Sequence, residues 1–313
     1  MALRIALGLG LMVLIIAVLS GIRFMPAQGE QGLLILARPV NVGAHNWIIA
    51  GKEKAVEMPP VNPAESSAFD AAAAQNPKHQ TELQWAFGGK AQRGWYLYTA
   101  LIQRLINTDQ ASDSAGFAQA LSRWQQTAGI APTGILDNDT LSKMVTTWQS
   151  QRFIDSSIPS PDQLMRIPDA DLYDPSRPEE LRKVEQQTYS AYKRMIRAAA
   201  EEKGLSLKTS GAGELAASEK FLKIVSAFRT PEYQEQLRQR SPDAGRAGLA
   251  KKSVHFTGRA LDVYVGGDPV STEDGNRAIQ VQTAVYQWLV KNADKFGFRP
   301  YFYEPWHWEY RPD

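Results

Sequence analysis

The chain contains no cysteine. No disulfide can staple it and no thiolate can bind a metal, so the fold must rest on an apolar core, and any metal must be held by His, Asp or Glu. Only four histidines are available: His45, His79, His255 and His307. A cysteine nucleophile and a lipid-modified cysteine behind a leader are excluded by the same absence. With 313 residues, 43% of them hydrophobic and 22% charged, there is apolar material for one large domain or two ordinary ones. The net charge of +2, without a dense Lys/Arg run, offers no phosphate-binding stripe, so nucleic acid is not an expected partner.

Residues 5–22 form an almost unbroken apolar run behind Arg4. Its length falls between a signal-peptide core and a minimal membrane span. Residues 1–25 therefore read either as a signal peptide, cleaved after Ser20, or as a hydrophobic helix that anchors the chain in the membrane. The stretch Gly21-Ile22-Arg23-Phe24 is an unusual mature start, which favours the anchor. Both readings place the remainder outside the cytoplasmic membrane, periplasmic or secreted. Residues 26–80 lack a sustained period and carry Pro59 and Pro60 and an alanine run at 71–74. They are expected to form an irregular extension or tether, or else to supply short strands at 33–36 and 47–49.

Residues 81–152 show helical spacing. Leu97, Leu101, Leu105 and Ile106 make one stripe, Phe117, Leu121 and Trp124 a second, and Leu141, Met144, Val145 and Trp148 a third. Between the last two lies a turn-rich stretch with Gly129, Pro132 and Gly134. The pattern Phe117-x3-Leu121-x2-Trp124-Gln125, then Gly129-Ile130 and Thr133-Gly134-Ile135-Leu136-Asp137, resembles the peptidoglycan-binding type 1 module. That resemblance implies affinity for cell-wall glycan or peptide. A plain three-helix bundle whose aromatics are all core is the other reading.

Residues 153–178 are rich in Pro and Asp and read as a linker. Ser176-Arg177-Pro178-Glu179 has the spacing of a capping box and predicts a helix from there to about Lys203, stopped by Gly204. Leu181, Val184, Tyr192, Met195, Ile196 and Ala199 would face inward. Residues 179–313 are expected to be an α+β domain, with helices around a small antiparallel sheet. Its predicted strands are 221–228, 260–265 and 306–310, and a helix over 279–296 would end at Gly297.

Two clusters carry the chemistry. In Ser253-x-His255-x-x-Gly258-x-Ala260-x-Asp262, strand alternation sends Leu261, Val263 and Val265 to one face and Asp262 to the other. Gly258 permits a tight turn that folds His255 back over that second face. A His and a carboxylate so placed are two of the three ligands of an open zinc site. In Glu304-Pro305-Trp306-His307-Trp308, the tryptophans share one face of the last strand and leave His307 on the other. Glu304 has the wrong parity for that face unless the chain bends at Pro305, which cannot donate to a ladder.

Together these segments resemble the LAS metallopeptidases, which include the VanY-type D-alanyl-D-alanine carboxypeptidases of the M15 peptidase family. Every fixed position of Ser-x-His-x-x-Gly-x-Ala-x-Asp and of Glu-x-x-His is present. The resemblance implies zinc bound by His255, Asp262 and His307, with Glu304 as catalytic base. It also covers Ser226-x-x-Arg229-Thr230-x-x-Tyr233-Gln234, where Arg229 would bind the terminal carboxylate or the carbonyl under attack. Ser226, Tyr233, Gln234 and Ser253 would contact the substrate peptide. The implied activity is hydrolysis of the terminal D-Ala-D-Ala bond of peptidoglycan stem peptides. Cleavage of an L,D bond or of a crosslink, and a non-catalytic wall-binding scaffold, are the alternatives. A serine D,D-peptidase is rejected: Ser190-x-x-Lys193 fits its first motif, but no Ser-x-Asn occurs and Lys208-Thr209-Ser210 departs from Lys-Thr-Gly.

Overall fold

A computed structural model describes residues 69–152, 157–210, 213–241 and 253–311. The apolar run at 5–22, the strands considered at 33–36 and 47–49, and His45 lie outside these residues. No helix among the described residues is long and apolar enough to cross a membrane.

The first part is helical, with one hairpin. Helix α1 (Asp70–Glu82) occupies a stretch expected to be irregular. Its only apolar residues are alanines, so an amphipathic stripe is missing from the sequence. Ala72, Ala73 and Asn76 are nevertheless buried. The Asn76 side chain donates to Gly134 O (3.0 Å) and accepts from Leu136 N (2.8 Å), which fastens the helix to the turn-rich connection. Strands β1 (Gln84–Phe87) and β2 (Lys90–Arg93) follow as a hairpin. Gly88 and Gly89 close it with φ of 59° and 84°, the left-handed pair that a two-residue turn requires.

Three helices complete this part: α2 (Thr99–Leu105), α3 (Ala115–Thr127) and α4 (Asn138–Ser150). Ser114 and Asp137 cap α3 and α4 by accepting from Phe117 N (3.1 Å) and Thr140 N (2.9 Å). Gln125 is fully buried and organises the α3–α4 connection. It donates to Ile135 O and Thr140 Oγ1 and accepts from Gly134 N.

The expected linker is part of the second fold. Strand β3 (Leu164–Arg166) pairs antiparallel with β4 (Lys183–Glu185), and Leu172 bridges to Ile224. The helix predicted from Glu179 begins later, as α5 (Gln186–Glu201), capped by Glu185, which accepts from Thr188 N at 2.7 Å. Ser176 binds the Asp174 carboxylate instead of capping a helix. Leu181 and Val184 are buried, but from a 3-10 turn and a strand. Pairing with β3 leaves residues 183–185 extended, so the helix cannot start before them.

Strands β5 (Ile224–Ser226), β6 (Ala260–Val263), β7 (Phe298–Pro300) and β8 (His307–Tyr310) form an antiparallel sheet in the order β5-β6-β8-β7. Helix α6 (Pro231–Arg240) follows β5, capped by Thr230 and with proline in its first turn. The helix expected over 279–296 is two: α7 (Asp274–Gln282) and α8 (Ala284–Asn292). Thr283 breaks them by capping α8, accepting from Tyr286 N, and Gly297 ends the following turn with φ of 83°. Leu261, Val263 and Val265 join Tyr192, Met195, Ile196 and Leu289 in the core.

The helical part packs directly on this sheet domain. Phe302, in the turn between β7 and β8, meets Phe87, Tyr98 and Trp148. Arg277 of α7 is buried between the parts. It donates to Gln92 Oε1 and Tyr98 OH of one and to Tyr303 O of the other.

Candidate metal centre

The sheet register builds the centre. Asp262 on β6 lies directly opposite His307 on β8, and Ser226 on β5 is paired with Asp262 from the other side. Cross-strand partners point to the same face, so the three form a row. His255 enters from a 3-10 turn, Val254–Thr257, which Ser253 caps by accepting from His255 N (3.3 Å). Gly258, with φ of 67°, ends that turn and returns the chain into β6. The bend needed for Glu304 is present: His307 N donates to Glu304 O (3.0 Å) and Glu304 N to Tyr301 O (3.1 Å). Pro305 sits inside this turn, and Glu304 Oε2 comes to 3.9 Å from His307 Nδ1.

Three donor atoms converge. His307 Nδ1 is 3.0 Å from Asp262 Oδ1, His255 Nε2 is 3.2 Å from the same oxygen, and the two nitrogens are 3.2 Å apart. Bonds of about 2.0–2.1 Å to a tetrahedral ion place ligand atoms roughly 3.3–3.4 Å from one another. The triangle is therefore close to the size that a small tetrahedral cation needs. All three side chains are buried. Each imidazole is also held at its far nitrogen. His255 Nδ1 donates to Ala227 O (2.5 Å), and His307 Nε2 faces Glu309 Oε1 at 3.3 Å. Those contacts leave Nε2 of His255 and Nδ1 of His307 to turn lone pairs inward, the arrangement of a metal-ligating histidine. The residues fit a metal.

Burial and the neighbouring charges set the protonation of each group. Burial, assisted by the Arg229 guanidinium, pushes His255 down to about 4, so that ring is neutral. Burial also pulls on His307, but hydrogen bonds to the Asp262 and Glu309 carboxylates outweigh it and raise that ring to about 9. Burial opposes the charge on Asp262, yet the Arg229 guanidinium and the hydrogen bond from His307 hold its carboxyl well below the usual range. Glu304 is pushed up to about 8, chiefly by burial.

Arg229 donates to Ser226 Oγ (2.9 Å) and Gln234 Oε1 (3.4 Å) and forms an ion pair with Asp262. Ser226 and Gln234, expected on substrate, thus lie against the arginine, while Ser253 lies against the His255 turn. Tyr233 is in the first turn of α6, where its N–H donates to Thr230 Oγ1 (3.2 Å). His79 contacts Leu136 O, and Lys193 pairs with Asp171 and Glu214, which engages the lysine of the rejected serine motif.

Two residues of the centre escape a reading of the sequence alone. Glu309 is two positions beyond His307 and so shares its face of β8, a parity visible in the sequence. Arg152, just past α4, reaches Glu309 Oε1 through Nε (2.9 Å) and Nη2 (2.5 Å). No local pattern signals that contact.

Residues 181–313 match the family VanY, D-alanyl-D-alanine carboxypeptidase. A solved structure described as the LdcB LD-carboxypeptidase, said to reveal the molecular basis of peptidoglycan recognition, is similar at 24% identity. The similarity covers 49% of this chain and 69% of that one, with a TM-score of 0.35. No curated protein matches the chain.

Proposed function

We propose that this domain hydrolyses a peptide bond of peptidoglycan stem peptides at a zinc centre held by His255, Asp262 and His307, with the terminal D-Ala-D-Ala bond as its substrate. The observation that carries the reading is the convergence of three donor atoms whose far ends are tied, beside the buried carboxyl of Glu304. Two imidazoles and one carboxylate suit zinc and leave a coordination position open. A zinc ion there would supply Lewis acidity, which acidifies water and polarises the carbonyl under attack. Glu304 takes the proton of the attacking water and returns it to the departing amine. Burial favours the protonated form of Glu304, the form it reaches once it has taken that proton. Arg229 offers a charged fork to the substrate's terminal carboxylate or to the carbonyl oxygen. Ser226 and Gln234 act on substrate through Arg229, which they hold, and Ser253 acts through the turn it caps.

The helical part is proposed to add affinity for wall glycan or peptide. Residues 1–25, as signal or membrane anchor, would deliver the enzyme to the periplasm, where that substrate lies. The test is the purified full chain with a pentapeptide muropeptide, followed by mass spectrometry. Loss of one alanine is expected, abolished by chelator and restored by zinc, while Glu304→Gln binds zinc and does not cleave. A different product mass moves the scissile bond. No cleavage of any wall peptide by a zinc-loaded chain would refute the peptidase reading.

A further inference from the structure

We infer that Arg152, supplied by the helical part, is a positioning residue of the metal centre: it fixes Glu309, and through it the orientation of His307. This rests on the reading that His255, Asp262 and His307 hold a metal. Arg152 reaches the centre from the first part of the fold by two routes. Its Nε and Nη2 both donate to Glu309 Oε1, the same oxygen that His307 Nε2 faces at 3.3 Å. Its guanidinium also lies 4.0 Å from the centroid of the Tyr301 ring, whose plane stands nearly perpendicular to the His307 ring at 5.8 Å.

The surroundings hold Arg152 in place. Its own N–H donates to Gln149 O, continuing the end of α4, and Arg311 donates to Gln151 O from beyond β8. Trp148 on the same helix stacks on Phe302, next to Tyr301. The stretch from Trp148 to Arg152 is therefore clasped against the β7–β8 connection and the far end of β8.

The consequence for His307 is geometric. An imidazole can rotate about its last side-chain torsion, and such terminal torsions are broad and roughly two-fold. A fixed acceptor at Nε2 selects the orientation in which Nδ1 meets Asp262 and His255. Glu309 is 1% exposed, and a buried carboxylate holds its position only while its hydrogen bonds are satisfied. Withdrawing the guanidinium removes two donors from the oxygen that His307 uses. Outer partners of this kind typically change metal affinity about 10–100-fold when mutated.

The experiment measures zinc affinity of the full chain by competition with a chromophoric chelator, alongside the melting temperature of the metal-free protein. Arg152→Met keeps the stem over Tyr301 and loses the fork; zinc affinity is expected to fall about 10–100-fold. Arg152→Lys, which keeps the charge without the fork, should fall less. Arg104→Met is the control: Arg104 pairs with Asp294 at 2.5 Å, another ionic contact between the two parts, and lies outside the centre. Its affinity should match the parent. Equal affinity in Arg152→Met, or an equal loss in Arg104→Met, overturns the inference while the metal-centre reading stands. Should Arg152→Met fail to fold, an unchanged affinity in Arg152→Lys overturns it. A parent chain that binds no zinc removes the metal-centre reading and the inference with it.

Discussion

Gly258→Ala probes the turn that aims His255. Gly258 has φ of 67°, and a Cβ there would lie 2.9 Å from Glu185 N, 3.1 Å from Glu185 Cβ and 3.2 Å from Leu164 Cδ2. The left-handed conformation costs an L-residue roughly 1–2 kcal/mol. Relieving the contact with backbone N must lengthen the Glu185 N to Gly258 O bond, now 3.2 Å, at a cost of about 1 kcal/mol. Reduced freedom of the unfolded chain returns about 0.4–1 kcal/mol. The net loss is about 2 kcal/mol, which for a domain of this size lowers the melting temperature by roughly 4–8 °C. Glu185 caps α5 and Gly258 N donates to His255 O, so the shift should also move His255 and weaken zinc binding. Gly129→Ala separates the two causes. Gly129 has φ of 72°, but an added Cβ would meet nothing within 4 Å, so only the conformational cost applies and zinc affinity should be unchanged. Scanning calorimetry of the metal-free proteins and chelator competition give both readouts. A Gly258→Ala protein that melts no lower than Gly129→Ala and binds zinc like the parent would refute the crowding argument.

Two further outcomes are expected. Phe302→Ala should destabilise the metal-free protein by about 3–5 kcal/mol, read from denaturant midpoints, because it empties the aromatic cluster with Phe87, Tyr98 and Trp148. The second concerns pH. Glu304 and His307 both titrate above their ordinary values, at about 8 and about 9, so the folded metal-free protein binds protons that the unfolded chain releases. The contribution of His307 is complete below its unfolded pKa and fades as pH rises through about 9. Zinc must displace the His307 proton, so the zinc-induced rise in melting temperature should grow from about pH 6 to about pH 8; a rise that shrinks over that range would contradict it.

Much of the site is legible in the sequence because strands impose parity. Leu261, Val263 and Val265 have to face one way and Asp262 the other, and the β6–β8 register then sets Asp262 against His307. The bend at Pro305 is legible as a requirement: without it Glu304 could not reach the centre. Other elements are obscured by identifiable causes. Helix α1 has alanine where a helix usually shows larger apolar side chains, and its anchor is the polar Asn76. The Gly88-Gly89 hairpin is written plainly but lies inside a stretch whose helical stripes dominate the pattern. The start of α5 is hidden because a capping-box spacing at Ser176 competes with strand pairing that only the folded chain supplies. Arg152 is the extreme case, since its partner lies 157 residues away in sequence.

The placement of Glu304 shows how closely the two parts of the fold depend on each other. A tight turn has little stability of its own, and a buried carboxyl makes it costlier to form. Here the residues before Glu304 are aromatic and the neighbouring part grips them. Phe302 enters the cluster with Phe87, Tyr98 and Trp148, Arg152 lies against Tyr301, and Gln92 and Tyr98 hold Arg277, which donates to Tyr303 O. Side chains that the helical spacing places on core stripes, Trp148 above all, also hold the turn that carries Glu304. The packing that orders this turn also excludes water from Glu304, and that exclusion raises its pKa. Loosening the contact between the parts should therefore lower the pKa of Glu304 and spread its position together. For that reason the helical part shapes the surroundings of Glu304 as well as its own core.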